Sequence, residues 1–431
     1  MSSFRILTFG CKVNQCDSQV LRETLVSWGL AESETEQCDL VIVNSCTVTG
    51  GADAKFRKAL RKIRRENPGA LIGLTGCFVN RVRSSNAPPS ADFVFSPDSP
   101  GALAEFLRGR NLINGGILRE VRQSFFAEHT RAFLKIQDGC TCFCSYCIIP
   151  FVRPTLWSRE PEEVLATINE LSGQGYREVV LSGIHLGFYG RQAGEAGAMR
   201  EPIPLVALLS QIEVKCRIDR IRLSSIEINE VTDELIEFMA GSKKLCRHLH
   251  LPLQSGSDRI LQKMNRRYAA GFYAERISRI KEKLPDIGLT TDIIVGFPGE
   301  SEEDFRQTCE AVERVGFVKI HVFRYSNRPG TSAASFRPQV PSNVTSERAR
   351  RLIRVGNDTA ARYKRRFMGK TLPVLIEAYD RRGGFCRGLT PNYMRVRLEA
   401  GGDYINEILP VQIEEIDEVS GVALGTAVQQ P

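Results

Sequence analysis

The chain has 431 residues, 42% of them hydrophobic and 25% charged, enough for two or three domains that each bury a core of their own. It carries no apolar run near the ~20 residues of a membrane span and no charged-then-apolar leader at its start, which argues against a spanning helix and leads us to expect a cytoplasmic protein. Thirteen cysteines in so large a chain argue for metal or redox chemistry over a disulfide framework, and a net charge of +8 suits a polyanionic partner.

Residues 1–127 alternate short apolar strands with helical patterns: Phe4-Arg-Ile-Leu-Thr-Phe9, an amphipathic stretch from Ser18, Asp39-Leu-Val-Ile-Val-Asn44, a second helix, and Ala70-Leu-Ile-Gly-Leu-Thr75. The alternation predicts an N-terminal Rossmann-like parallel α/β domain. Each of these strands runs into a cysteine, Cys11, Cys46 or Cys77. The carboxyl ends of an open parallel sheet form its ligand crevice, so the three thiols are expected to meet there. A lone cysteine at a strand end is usually a small buried side chain. Three at equivalent positions number one fewer than a closed four-thiolate cluster, which implies an iron–sulfur cluster with one open iron.

From residue 128 to 365 the alternation resumes on a larger scale, with apolar strands at Phe133-Leu-Lys-Ile136, Glu178-Val-Val-Leu181, Arg220-Ile-Arg-Leu223, His248-Leu-His-Leu251, Leu289-Thr-Thr-Asp-Ile-Ile-Val295 and Lys319-Ile-His-Val-Phe323. Six strands predict a partial (β/α)6 barrel with its chemistry on the loops that follow them. After the first comes Cys140-Thr-Cys-Phe-Cys144-Ser-Tyr-Cys147. Three thiolates at this spacing hold three irons of a four-iron cluster and leave the fourth free to bind a cofactor or substrate. Cys142 lies inside the same loop, so a structural zinc site on Cys140, Cys142, Cys144 and Cys147 is the alternative.

A long basic helix, roughly Ser346 to Met368, leads into residues 366–431, where short alternating strands and the turns Arg381-Arg-Gly-Gly384 and Ala400-Gly-Gly-Asp403 predict a small β-barrel. Two stretches are strongly basic: Lys55 to Arg65, with seven cations in eleven residues, and Arg348 to Lys370, with nine cations against Asp358. They suit phosphate contacts, although a charge run is as often a solvated face. From Thr371 onwards nine acids outnumber five arginines, so bulk charge does not draw RNA to this module.

Gly10-Cys11-Lys-Val-Asn-Gln15 with Asn44-Ser-Cys46 and Gly76-Cys77, the Cys140/Cys144/Cys147 loop followed by Ile149-Pro150, and Gly388-Leu-Thr-Pro-Asn-Tyr393 together resemble the radical S-adenosylmethionine methylthiotransferase family, over essentially the whole chain. The last block is similar to the TRAM nucleic-acid-binding module. The resemblance implies two [4Fe-4S] clusters and S-adenosylmethionine as cofactors. On it, the barrel cluster cleaves S-adenosylmethionine reductively to a 5′-deoxyadenosyl radical. The N-terminal cluster carries the sulfur that one S-adenosylmethionine methylates before its insertion at a carbon–hydrogen bond.

The same resemblance places Tyr146 and Gly296 on the adenine side of the cofactor and Gly183 beside its methionine moiety, and makes Glu227, Gln254 and Ser255 candidate hydrogen-bonding groups. Gly10-Cys-Lys-Val-Asn-Gln15 and Gly183-Ile-His-Leu-Gly-Phe-Tyr-Gly190 lean toward the subgroup that acts on N6-threonylcarbamoyladenosine at position 37 of tRNA. The isopentenyladenosine subgroup typically has Gln-Met-Asn at the first of these. Relatives acting on isopentenyladenosine or on a ribosomal-protein aspartate, and a non-catalytic metal-bearing RNA-binding protein, are the competing readings. The chain departs from the family pattern at Cys16, at the extra Cys142 and at Pro154, where a glycine is usual. A tRNA substrate, an electron donor such as flavodoxin or ferredoxin, a sulfur source and a monomeric state are the expected partners. Candidate RNA contacts are Arg57, Arg61, Arg350, Arg354, Arg365, Arg381, Arg382, Arg387, Arg395 and Arg397, with Tyr393 for base stacking.

Overall fold

The computed structural model describes residues 2–35, 37–48, 50–82, 91–96, 100–113, 130–191, 204–399, 402–417 and 420–428; the expected boundary at 127/128 lies outside them. Strands β1 (Ser3–Thr8), β2 (Ala31–Glu32), β3 (Leu40–Ser45), β4 (Leu71–Gly76) and β5 (Phe93–Val94) form a parallel sheet in the order β2-β1-β3-β4-β5. Every residue of β3 is buried, because helices cover both faces of the sheet. Leu21, Leu25, Leu103 and Leu107 pack on one face, and Phe56, Leu60 and Ile63 on the other. The strand order reverses between β1 and β3, and at that switch point the carboxyl ends open into a crevice.

Six parallel strands make the second unit: β6 (Arg131–Asp138), β8 (Glu178–Gly183), β9 (Arg220–Leu223), β10 (His248–His250), β11 (Gly288–Val295) and β12 (Lys319–Arg324), with β7 (Trp157–Ser158) antiparallel on the outer edge of β6. Bridges Ile221↔Leu245 and Ser225↔His250 carry the curvature from β9 to β10. Among the described residues no ladder joins β6 to β12, so the barrel is open on that side. Ala132, Leu134 and Ile136 join Val164 and Ile168 of the outer helix Pro161–Gly173 in the core. Alternation therefore turns Arg131, Phe133 and Lys135 inward. The N-terminal helix Lys12–Ser27 runs along β6, where the Cys16 thiol reaches the Phe133 carbonyl at 3.4 Å.

Helix Ser342–Arg365 leads to β13 (Thr371–Asp380), β14 (Phe385–Leu389), β15 (Arg395–Glu399), β16 (Ile408–Ile416) and β17 (Ala423–Ala427), a closed barrel in the order β13-β14-β15-β17-β16. Its loop after β14 caps the amino end of the six-stranded barrel. Arg222 donates to the carbonyls of Pro391 (3.0 Å) and Thr390 (3.2 Å), and Arg220 to those of Pro373 (2.9 Å) and Leu389 (3.3 Å). Tyr393 stacks on His248 at 4.2 Å and 16°. The expectation that Tyr393 offers its ring to a nucleobase is thereby corrected: the ring face is taken by the barrel. None of the helices among the described residues is long and apolar enough to cross a membrane.

Two cysteine triads at a domain junction

Cys11 caps the helix after β1, Cys46 follows β3, and Cys77 opens the short helix Cys77–Val82 after β4. Asn14 draws these strand ends together. Its Nδ2 donates to the carbonyls of Phe9 (2.9 Å) and Ser45 (3.0 Å), and its Oδ1 lies 3.9 Å from the Cys11 sulfur and 4.0 Å from the Cys77 sulfur. Gly10 permits the approach: at φ +127° a Cβ on it would stand 2.8 Å from the Cys46 Cβ. The loop beyond Cys46 is pinned to the barrel by Arg328, which donates to Thr47 Oγ1 (2.6 Å) and to Asp53 (2.9 Å).

The barrel triad sits on the loop that β6 enters. Gln137, fully buried, shapes it by donating to the carbonyls of Asp138 (2.7 Å) and Gly139 (2.8 Å) and accepting the His185 amide (2.8 Å). Gly139, at φ +81°, lets the loop touch its own return strand, since a Cβ there would lie 2.0 Å from the Thr155 carbonyl oxygen. The far side is anchored by Ser145, whose amide and hydroxyl donate to the carbonyls of Met264 (3.0 Å) and Lys263 (2.7 Å).

Cys142 does not complete a four-thiol ion site. It turns to His185 Nδ1 at 3.5 Å, 3.6 Å from which lies the Cys140 sulfur. Among the described residues these are the three Cys, His, Asp or Glu side chains whose ligand atoms lie within 4.8 Å of one another. Neither Cys144 nor Cys147 joins that group, so the four thiols of the loop do not converge on one ion, and Cys140, Cys144 and Cys147 remain available as three ligands of a cluster. Glu230 holds the other face of His185 at 2.5 Å. Burial works against the imidazolium, but the Cys142 thiol and the Glu230 carboxylate push its pKa up to about 9.

Burial raises the pKa of the Cys46 thiol to about 11 and that of Cys147 to about 12, and also raises those of Cys77 and Cys144. Thiolates there are disfavoured until a metal accepts their charge, so ligation must displace protons.

Arg153 joins the two triads. Its Nε donates to Cys77 Sγ at 3.3 Å, its carbonyl accepts the Cys140 amide at 3.3 Å, and its two terminal nitrogens meet Asp17 and Asp138, each at 2.6 Å. Lys135 bridges the same two carboxylates at 2.5 Å and 3.0 Å. Burial alone would protonate Asp17, but Lys135 and Arg153 hold it below the usual carboxylate range.

Two cavities flank the cluster loop. One, of about 160 Å³, is lined by Tyr146, Cys147, Gln254, Asp292 and, from the N-terminal domain, Val48. The other, of about 180 Å³, is lined by Cys142, Cys144, His185, Glu227 and Arg266. Arg266 pairs with Glu227 and places Nη1 3.3 Å from Cys144 Sγ. Gly183 stands against Gln137, whose Oε1 would be 2.9 Å from its Cβ. At Gly296, φ +74°, a Cβ would stand 2.3 Å from the Thr345 hydroxyl oxygen, so the linker helix packs directly on this backbone. Ser255 is buried beside Thr308.

Arg57 and Arg61 lie on the exposed face of helix Gly50–Glu66, where Lys55, Lys58, Arg61, Lys62 and Arg65 line one continuous basic surface. The linker helix is less free than its composition suggests. Arg348 is buried on Glu300 (2.7 Å), Arg351 holds Glu302 (2.7 Å) and Arg350 holds Glu347 (2.7 Å), while Arg354 and Arg365 are exposed. Arg381, Arg382, Arg387, Arg395 and Arg397 are exposed on the small barrel, Arg387 lying 3.9 Å from Asp380.

Asn14, Asp17, Lys135, Gln137, Arg153 and Arg266 were not singled out in sequence. Asn14, inside the Gly10–Gln15 block, and Arg153, three residues past Pro150, lay in or beside family blocks.

Residues 134–312 match the radical SAM superfamily, and residues 3–96 match a family described as the uncharacterized protein family UPF0004. The chain is 36% identical, over 96% of its length and 94% of the relative's, to the threonylcarbamoyladenosine tRNA methylthiotransferase MtaB of Bacillus subtilis. It is 34% identical, over 96% of its length and 90% of the relative's, to a tRNA-2-methylthio-N(6)-dimethylallyladenosine synthase of Caldicellulosiruptor saccharolyticus. In fold it is similar to the radical S-adenosylmethionine methyltransferase TsrM of Kitasatospora setae, with a TM-score of 0.53 at 14% identity over 77% of each chain.

Proposed function

The chain belongs to the radical S-adenosylmethionine methylthiotransferase family, and from that premise we propose that it inserts a methylthio group at carbon 2 of N6-threonylcarbamoyladenosine at position 37 of tRNA. Cys140, Cys144 and Cys147 hold one [4Fe-4S] cluster and Cys11, Cys46 and Cys77 a second. When bound, the first supplies reductive cleavage of S-adenosylmethionine, and the second carries the sulfur at its open iron. The observation that carries this reading is the pair of thiol triads, each one ligand short of closure, with the side chain of Arg153 against one and its carbonyl against the other.

This chain's own residues then have distinct tasks. Gln137 and Gly139 fix the loop so that the barrel triad faces the strand ends. Tyr146 and Gln254 line the cofactor's adenine side, Gly183 keeps the backbone open beside its methionine end, and the Arg266–Glu227 pair presents charge beside Cys144. Gly296, against which Thr345 of the linker helix packs, keeps its place in the adenine-side loop after β11. Residues 1–127, 128–365 and 366–431 form the sulfur-bearing, radical and RNA-binding domains. Phosphates meet Arg57 and Arg61, with Arg354, Arg365 and the arginines of the small barrel in support. The enzyme works as a monomer with a flavodoxin- or ferredoxin-type electron donor and a separate sulfur source.

Relatives named for two nucleosides stand at similar identity, so the nucleoside must be tested directly. Mass spectrometry of tRNA nucleosides from cells with and without the gene should show the methylthio form of threonylcarbamoyladenosine vanish on deletion. Loss of the methylthio form of isopentenyladenosine instead would favour the second reading, and no change in either would refute both.

A further inference from the structure

Lys12 places an ammonium in a barrel interior already short of carboxylates. A full eight-stranded barrel fills its interior with branched apolar side chains. Here the inward positions of β6 to β12 are polar: in register Arg131 stands beside Glu178 and Glu178 beside Arg220, His250 beside Thr290, and Asp292 beside His321. The Lys12 Nζ lies 5.8 Å from the Phe133 ring centroid, and among the described residues it makes no hydrogen bond and no ion pair. Glu178 is already shared by Arg222 (2.6 Å), Arg131 (3.9 Å) and Arg220 (4.0 Å). Asp292 is engaged by His250 at 3.3 Å. On the same interior His248, 4% exposed, leaves Nδ1 without a partner. Cations drawn out of water are retained against an anion, and the one carboxylate whose charge reaches Lys12, Glu178, is already held by three arginines.

The anion must therefore arrive with a ligand. Lys12 follows Cys11 directly, so whatever its ammonium holds is held within one side chain's reach of the N-terminal triad. We propose that Lys12 binds a carboxylate carried on the N6 substituent of the substrate adenosine, and thereby selects threonylcarbamoyladenosine over adenosines whose N6 group is apolar. The proposal rests on the tRNA reading above. A neutral dimethylallyl group would leave the ammonium desolvated and unpaired, which is discrimination by an unsatisfied charge.

The test uses the cluster-loaded enzyme and two anticodon stem-loops that differ in one group, one bearing threonylcarbamoyladenosine and the other its analogue with the threonine carboxylate replaced by a carboxamide. The wild type should bind the carboxylate form roughly tenfold or more tightly, as a charge-assisted contact allows. Lys12→Gln should bring that ratio close to one, and Lys12→Arg should keep most of it. A ratio unchanged in Lys12→Gln overturns the proposal. So does a wild type that binds both stem-loops equally, a measurement that stands even if Lys12→Gln fails to take up iron. Failure of the parent reading looks different: the wild type would leave the threonylcarbamoyl stem-loop unmodified while methylthiolating a dimethylallyladenosine one, and the proposal would fall with it.

Discussion

Arg153 donates its Nε–H to the sulfur of Cys77 at 3.3 Å, across the junction between the two α/β units. Because its carbonyl also receives the Cys140 amide, the spacing between the triads is set by one residue and its two carboxylate partners, Asp17 and Asp138. A cation hydrogen-bonded to a ligand sulfur stabilises the more negative, reduced form of a cluster.

Arg153→Gln should therefore move the midpoint potential of the N-terminal cluster to a more negative value, with Arg153→Lys intermediate. Redox titration followed by electron paramagnetic resonance reads this in a Cys140→Ala/Cys144→Ala/Cys147→Ala background, where the N-terminal cluster is the one left. An unshifted potential would reduce Arg153 to a packing role.

The triads should separate genetically. Cys144→Ala should release no 5′-deoxyadenosine from S-adenosylmethionine and form no product. Cys46→Ala should keep iron at the barrel loop and cleave S-adenosylmethionine without methylthiolating RNA. Product from Cys46→Ala at the wild-type level would remove the N-terminal triad from sulfur transfer.

The iron-free chain should lose stability on the alkaline side. Burial raises Cys46 to about 11 and Cys147 to about 12, whereas an unfolded thiol ionises near 8.5. The folded state thus holds more protons than the unfolded one between those values. The stabilisation is fully present below about pH 8.5 and fades as pH rises toward 11. Lys12, lowered to about 8 by burial with Arg131 and Arg222 nearby, acts in the opposite sense, as do the burial-lowered Lys281, Lys319 and Lys364, while the buried thiols of Cys216, Cys246 and Cys309, raised likewise, add to the thiol side. Anaerobic thermal melts of the apo chain should show Tm falling from about pH 8.5 upward; a flat or rising Tm would contradict the burial argument.

The small barrel should be held on by Arg222. This side chain is fully buried, pairs with Glu178 at 2.6 Å and donates to two carbonyls of the capping loop. Arg222→Ala leaves Glu178 buried with weaker partners and should cost about 3–5 kcal/mol. Chemical denaturation measures the loss, and limited proteolysis between the linker helix and β13 should accelerate with it.

RNA affinity should depend more on the N-terminal helix than on the small barrel. The Arg57→Glu/Arg61→Glu double variant should weaken stem-loop binding and flatten its salt dependence by about two phosphate contacts. Arg387→Glu, whose wild-type side chain already lies near Asp380, should change it less. Equal losses in fluorescence anisotropy titrations would point to the small barrel instead.

Much of this was legible in the chain itself. The short continuous apolar runs ending in Cys11, Cys46 and Cys77 and the spacing of Cys140, Cys144 and Cys147 determine the two triads, because a strand's end and a short loop are local properties. The six barrel strands were legible for the same reason. Contacts between segments far apart in sequence were not. Nothing local says that Arg153 reaches Cys77, 76 residues away, or that Lys12 enters a barrel begun by Arg131. Nor could sequence show that the ring of Tyr393 is spent on His248, or that Arg348, counted among the free cations of a basic helix, is buried on Glu300. Ligand spacing is written along the backbone; the partners that set charge, potential and substrate choice at those ligands are chosen only when the helix after Cys11 packs along β6 and the two sheets share one interface.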